Sequence, residues 1–179
     1  MIRLLDFILA LIGLILFSPF LIIFLILCWF DTGSPLFIQK RVGLNLKNFN
    51  LIKFRTMKTG TRSKSTHLVS KSNITKVGYY LRKFKLDELP QLLNVLVGDM
   101  SIIGPRPCLT NQKKLIFERK KRGIFKVKPG MTGLAQIKGI NMEKPALLAR
   151  TDKKMIHTKI NIFNYFNYIL LTILLVFRN

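Results

Sequence analysis

Asp87 and Glu88 form the only adjacent acidic pair among the seven acids after residue 30, the others being Asp31, Asp99, Glu118, Glu143 and Asp152. Arg82, Lys83 and Lys85 stand just ahead of the pair. Two carboxylates in a cationic setting suit phosphorus chemistry, with one free to attack phosphorus and the other to hold a hard cation. A plainer role is also open, because acids at a helix N-terminus cap it and complement its dipole. Leu89, Leu92, Leu93, Leu96 and Val97 recur at helical spacing behind the pair. Pro90 fits only near a helix start, so a helix is expected to begin at about Asp87 or Glu88.

Other elements must bring partners to these acids. Asp31-Thr32-Gly33-Ser34-Pro35 is a turn signal, after which Leu36 to Ile38 and Phe49 to Phe54 read as short strands around a Gly43 to Asn48 loop. Residues 58 to 76 are polar, basic and rich in Ser and Thr, which marks them as a candidate mobile loop. Gly104-Pro105-Arg106-Pro107 forces a rigid, non-helical stretch, and Lys113 to Lys128 reads as a basic, solvated helical segment. The apolar, aromatic stretch at about 163 to 177 is short for a membrane span and suits a helix lying in the interface. His67 and His157 lack partner spacing for a metal or an acid-base dyad and are expected at the surface. The fold class read from these elements is α/β, mostly α with short strands.

The chain has 179 residues, a length that favours one domain, and 49% are hydrophobic, which excludes wholesale disorder. Cys28 and Cys108 make neither a disulfide framework nor a zinc spacing. A net charge of +22 calls for an anionic partner, and nucleic acid, a membrane's inner face and phosphate-bearing substrates all qualify. Within residues 1 to 30 only Arg3 and Asp6 are charged, and they cancel. Phe7 to Phe30 gives 24 uncharged residues, too long for a signal-peptide core, and is read as a retained membrane segment.

Ser18 and Pro19 divide that segment into two arms. Pro19 cannot donate to the Ile15 carbonyl, so a bend is expected. Each arm of eleven residues is about 16 Å long, about half the hydrocarbon core. A kinked crossing helix and a helix-break-helix that dips in and returns both fit. In the second, the Ser18 hydroxyl would satisfy a backbone group freed at the break. The residues alone favour the crossing helix, while Arg3 leans slightly towards the hairpin.

The run from Leu81 to Leu96, with Leu86-Asp87-Glu88-Leu89-Pro90-Gln91 at its centre, and the block Gly98-Asp99-Met100-Ser101-Ile102-Ile103-Gly104-Pro105-Arg106-Pro107 closely resemble the core signature of the bacterial sugar transferases, the monotopic phosphoglycosyl transferases. Gln39-Lys40-Arg41-Val42-Gly43, Lys53-Phe54-Arg55-Thr56-Met57 and Lys128 to Gln136 match further blocks in the family's order. The resemblance implies a single compact catalytic domain over 31–179, carried on a re-entrant membrane hairpin over 1–30 with its break at Ser18-Pro19. That reverses the preference for a crossing helix.

The resemblance also implies the reaction. Sugar-1-phosphate passes from a UDP-sugar to undecaprenyl phosphate with release of UMP, as the first membrane step of a surface glycan. Asp87 matches the nucleophile and Glu88 the acid that binds magnesium, Mg2+. Arg82 and Arg106 match phosphate-binding positions, with Arg55 and Lys53 as weaker candidates. The bacterial inner membrane is the expected location, with the domain on the cytoplasmic leaflet, no nucleic-acid partner, and a homodimer left open. Two positions depart from the family's pattern: Ile140 stands where many members have arginine, and Asn164 or Tyr165 where an aspartate is common. A basic membrane-tethered nucleic-acid binder and an inactive scaffold of the same fold are the alternatives. The first lacks any helix-turn-helix, zinc or RNA-binding signature, and the second does not explain the Asp87-Glu88 pair.

Overall fold

The computed structural model describes residues 2–61, 71–158 and 161–178. A long apolar helix, α1 (Ile2–Thr32), leads into a hairpin of β1 (Leu36–Val42) and β2 (Asn48–Phe54). Helices α2 (Lys76–Lys83) and α3 (Gln91–Val97) follow, then β3 (Ser101–Ile103), β4 (Cys108–Leu109), α4 (Lys113–Lys121), β5 (Gly130–Thr132), α5 (Leu134–Ile137), α6 (Pro145–His157) and α7 (Ile162–Arg178). The chain is mostly helical with short strands and forms one domain. The sheet order β2-β1-β4 is antiparallel, while β3 and β5 pair in parallel.

Period-2 alternation explains the hairpin. Gln39, Arg41, Leu51 and Lys53 share one face, because the register pairs Gln39 with Leu51 and Phe37 with Lys53. The parallel pair depends on glycine: a Cβ on Gly104 would lie 2.7 Å from the Gly130 backbone nitrogen and the Lys128 carbonyl oxygen. Only a bare backbone lets β5 lie this close to the loop that carries Arg106.

At 1.5 Å per residue α1 is about 46 Å long, and its mean hydropathy is 3.0 over its most apolar window. It lies along the body at both ends. Near its start, Ala10 and Leu14 pack with Leu51, Leu92, Val95 and Met100, and a Cβ on Gly13 would come 3.1 Å from Leu92. Near its end, Leu21, Phe24, Leu25 and Cys28 pack with Phe54 and Leu81. Between these contacts the six residues from Ile15 to Phe20 are all exposed. The helical backbone runs on through Pro19, without the interruption expected there. The reason is local: Ser18 Oγ donates to the Ile15 carbonyl at 2.8 Å, the acceptor that Pro19 cannot serve.

Polar contacts fix the start of α1. Arg3 donates to the Val95 and Leu96 carbonyls at 2.5 and 2.8 Å, at the C-terminal end of α3. Asp6 is 2% exposed and accepts from Ser101 Oγ (3.0 Å), the Ile102 amide (2.9 Å) and the Tyr165 hydroxyl (2.7 Å). One buried carboxylate thereby ties α1, β3 and α7 together. On α7, Phe163, Phe166, Leu170, Ile173 and Leu174 remain exposed.

One local expectation needs correction, and another lies partly outside the described residues. The basic segment from Lys113 ends as a helix at Lys121 and is not merely solvated, because Leu115 and Arg119 are buried. The stretch 58–76 is tied at both ends, by the Met57 to Ile74 bridge and by Lys58 N donating to Asn73 O at 3.0 Å. Its centre, residues 62–70 with His67, lies outside the described residues.

Candidate active site

Helix α2 ends at Lys83, and Lys85 adopts a left-handed conformation (φ 54°) that turns the chain. Leu86–Glu88 then forms a single 3-10 turn, and α3 starts only at Gln91, with Pro90 as its N-cap. The start expected at Asp87 or Glu88 is therefore three or four residues too early, and no side chain caps α3. Both acids sit on a tight turn ahead of a helix, aimed by a backbone kink rather than spent on capping.

The two carboxylates differ. Asp87 is 7% exposed and makes no hydrogen bond among the described residues. Burial pushes its carboxyl up to about 6 and Glu88 adds to this, against the pull of Lys53, Arg82 and Arg106. Glu88 faces Arg106, which grips both its oxygens: Nη2 to Oε1, and Nη1 to Oε2 at 3.4 Å. Burial raises the Glu88 carboxyl, but the charge and hydrogen bonds of Arg106, with Lys53 and Lys85, bring it below its usual value. The same ion pair raises Arg106 further.

A small cleft lined by Arg41, Lys53, Glu88, Gln91 and Arg106 opens beside this pair. Burial lowers Lys53, while Asp87 and Glu88 pull it back up. Lys53 thus belongs to the cleft and not to a strand's solvent face. Arg55 does not belong to it: Nε donates to Ser34 O at 2.9 Å, Nη2 reaches Ser34 Oγ and Leu36 O, and the guanidinium lies over the Phe37 ring. Arg82, in the last turn of α2, makes no hydrogen bond among the described residues but acts on Asp87 through its charge.

Arg41 is the cleft residue that sequence reasoning missed. It donates to Pro107 O at 3.0 Å and to Gln39 Oε1 at 2.6 Å, while its buried Nε has no partner among the described residues. Burial, then Arg106, lowers it to about 10. The signal was present in the strand alternation, which puts Arg41 on the face of Lys53. His157, by contrast, is exposed as expected.

Among the described residues no three His, Cys, Asp or Glu side chains gather as a metal cage. The donors on offer are the Asp87 and Glu88 carboxylates. That set fits magnesium, which takes one or two carboxylates and completes its shell with phosphate oxygens and water. Glu88 would then have to share its oxygens with Arg106.

The two departures have structural outcomes. Ile140 packs with Val42, Cys108 and Leu115, so position 140 contributes to the core. Tyr165 donates to Asp6.

The chain is similar to several sugar transferases. The chain is 51% identical over 110 residues to the uncharacterized sugar transferase EpsL of Bacillus subtilis (strain 168), covering 61% of this chain and 54% of that protein. It is 40% identical over 159 residues to the UDP-glucose:undecaprenyl-phosphate glucose-1-phosphate transferase of Xanthomonas campestris pv. campestris, covering 84% of this chain and 32% of the relative. The exopolysaccharide production protein ExoY of Rhizobium meliloti (strain 1021) is 36% identical over 154 residues, 76% of this chain and 68% of its own length. The chain thus spans from about a third to about two thirds of these relatives. The profile of the bacterial sugar transferase family matches residues 1–179, and the chain belongs to that family.

Proposed function

We propose that this protein transfers sugar-1-phosphate from a UDP-sugar to a polyprenyl phosphate, undecaprenyl phosphate by analogy with the named relatives, and releases UMP. The observation that carries this reading is a buried carboxylate left without a hydrogen bond, between cations, beside a second carboxylate that is fully engaged.

A carboxylate oxygen of Asp87 attacks the β-phosphorus of the UDP-sugar. The bond from that phosphorus to the bridging oxygen breaks, and UMP leaves with that oxygen. A phosphate oxygen of the lipid then attacks the same phosphorus and returns Asp87 as a carboxylate. Each step exchanges one P–O bond for another, and no net proton is needed. Burial keeps water from the acyl phosphate, and the charges of Lys53, Arg82, Arg41 and Arg106 offset those on the phosphoryl oxygens. Magnesium held by Glu88 would supply further charge neutralisation at the diphosphate.

The same reading explains the anchor. Both ends of α1 rest on the body, and Ser18 and Pro19 lie in the run Ile15 to Phe20, which is exposed at every position. This supports an anchor that stays on the body's side of the membrane, because a crossing helix would carry one of these packed ends away from the body; a bend at Ser18-Pro19 that lets the segment dip into one leaflet and return belongs to the same proposal. The exposed apolar residues of α1 and α7 would seat the domain on the membrane, with the +22 charge drawn to anionic lipids of the inner leaflet. Incubation of the purified protein with magnesium, undecaprenyl phosphate and a panel of UDP-sugars is expected to release UMP with at least one donor. Failure with every donor, in a folded preparation, overturns the reading.

A further inference from the structure

The segment Pro105-Arg106-Pro107 has one backbone N–H among its three residues, so it can be held almost only through its carbonyls. All three carbonyls are taken. Pro105 O accepts from the Gly130 amide at 3.0 Å, Arg106 O from Arg119 Nη1 at 2.7 Å, and Pro107 O from Arg41 Nη1 at 3.0 Å. The middle clamp is itself anchored: Arg119 Nε and Nη2 both donate to Asp152 Oδ2, at 3.0 and 2.7 Å. Arg119 and Asp152 are 2% and 1% exposed, and the Cys108 thiol lies against Arg119 as well.

A buried ion pair is a costly way to join α4 to α6, since apolar residues of similar volume often stabilise as well or better. What apolar residues cannot do is hold the Arg106 carbonyl. From the Arg119 contact with that carbonyl we infer that Arg119, braced by Asp152, is a positioning residue that sets where the Arg106 guanidinium meets Glu88 and the donor's phosphates. The inference rests on the proposed transferase reading for its catalytic consequence, though not for its structural one. The brace reaches the cleft from α4 and α6, outside the blocks that carry the family resemblance.

The test replaces the pair as a unit, Arg119→Met with Asp152→Leu, so that no buried charge is left alone and the fold is kept. Turnover is expected to fall about ten- to hundredfold, the size of effect that a small misplacement of a reacting group produces. In an Arg106→Ala background the same replacement should cost nothing further, because its effect passes through Arg106. In arginine 15N spectra of the full chain in detergent, the Arg106 Nε–H signal should shift and exchange faster. Arg119→Lys, a milder change that cannot reach Asp152 and the carbonyl together, should move both readouts in the same direction.

Unchanged turnover, an unchanged Arg106 signal, or an equal loss in the Arg106→Ala background would each overturn the inference. Absence of UMP release from the unaltered protein would instead sink the transferase reading. The Arg106 signal would still decide the positioning.

Discussion

Asp6 and Asp87 are both buried aspartates, yet they are treated in opposite ways. At the seam of α1, β3 and α7 the Asp6 carboxylate accepts from three donors. Beside the cleft Asp87 has no donor among the described residues, and burial raises its pKa. A buried charge with its hydrogen bonds made holds structure together, whereas one without them is held in a state that favours reaction. The contrast teaches that burial alone does not mark a functional acid. Nor do missing partners alone, since a buried oxygen of Asp31 also has none among the described residues; what sets Asp87 apart is Glu88 beside it and the surrounding charges of Lys53, Arg82 and Arg106.

The largest expected effect tests this contrast directly. Asp87→Asn should abolish turnover, by about 10⁴-fold or more, the scale of losing a nucleophile. The same variant should be more stable at pH 7. With a folded-state pKa of about 6 against the usual 3.8, the charged form of Asp87 costs the folded state up to about 3 kcal/mol. That cost is absent below the lower value, grows as pH rises from the lower to the higher one, and stands in full at neutral pH. Asp6→Ala should do the reverse, losing about 3–5 kcal/mol by stranding three donors, while the folded fraction keeps its turnover per molecule. Paired thermal melts and UMP assays would check both. A destabilised Asp87→Asn would erase the distinction.

Next in size, Arg106→Ala should lower turnover by about 10²–10³-fold, as for other groups that stabilise developing charge. Smaller still is the acid limb of the pH profile. As the proposed nucleophile Asp87 has to be ionised, so kcat/KM should fall about tenfold per unit as pH drops below about 6, the apparent value belonging to the interacting Asp87 and Glu88 pair. A limb near pH 4 would mean that burial does not act on the reacting acid. The smallest effect is expected of Arg55→Lys, which should cost about 1 kcal/mol of stability through lost bonds to Ser34 and Leu36. A raised donor KM in that variant would return Arg55 to the cleft.

Much of this was legible because the information is local. Asp87-Glu88 is a contiguous pair, and the hairpin follows from alternation, whereas Pro19 suggested an interruption that the Ser18 hydroxyl's bond to the Ile15 carbonyl makes good. What was not legible depends on distance or on backbone. Asp6 meets its partners 95, 96 and 159 residues away, and Arg119 meets Asp152 across 33. The late start of α3 follows from a lysine in a left-handed conformation at position 85, where the residue type gives no warning. Lys53 and Arg55 looked equivalent by charge, and only the strand's end at Phe54 separates the cleft cation from the structural one.

The central claim is that Asp87 carries the sugar phosphate between its two partners. The protein should be incubated with magnesium and an active UDP-sugar, without lipid acceptor, then acid-quenched, digested and analysed by mass spectrometry. The account predicts one equivalent of UMP and the added mass of a phosphosugar on the peptide holding Asp87, discharged when undecaprenyl phosphate is supplied. Turnover with lipid present but no adduct on that peptide, or an adduct on another residue, would contradict it.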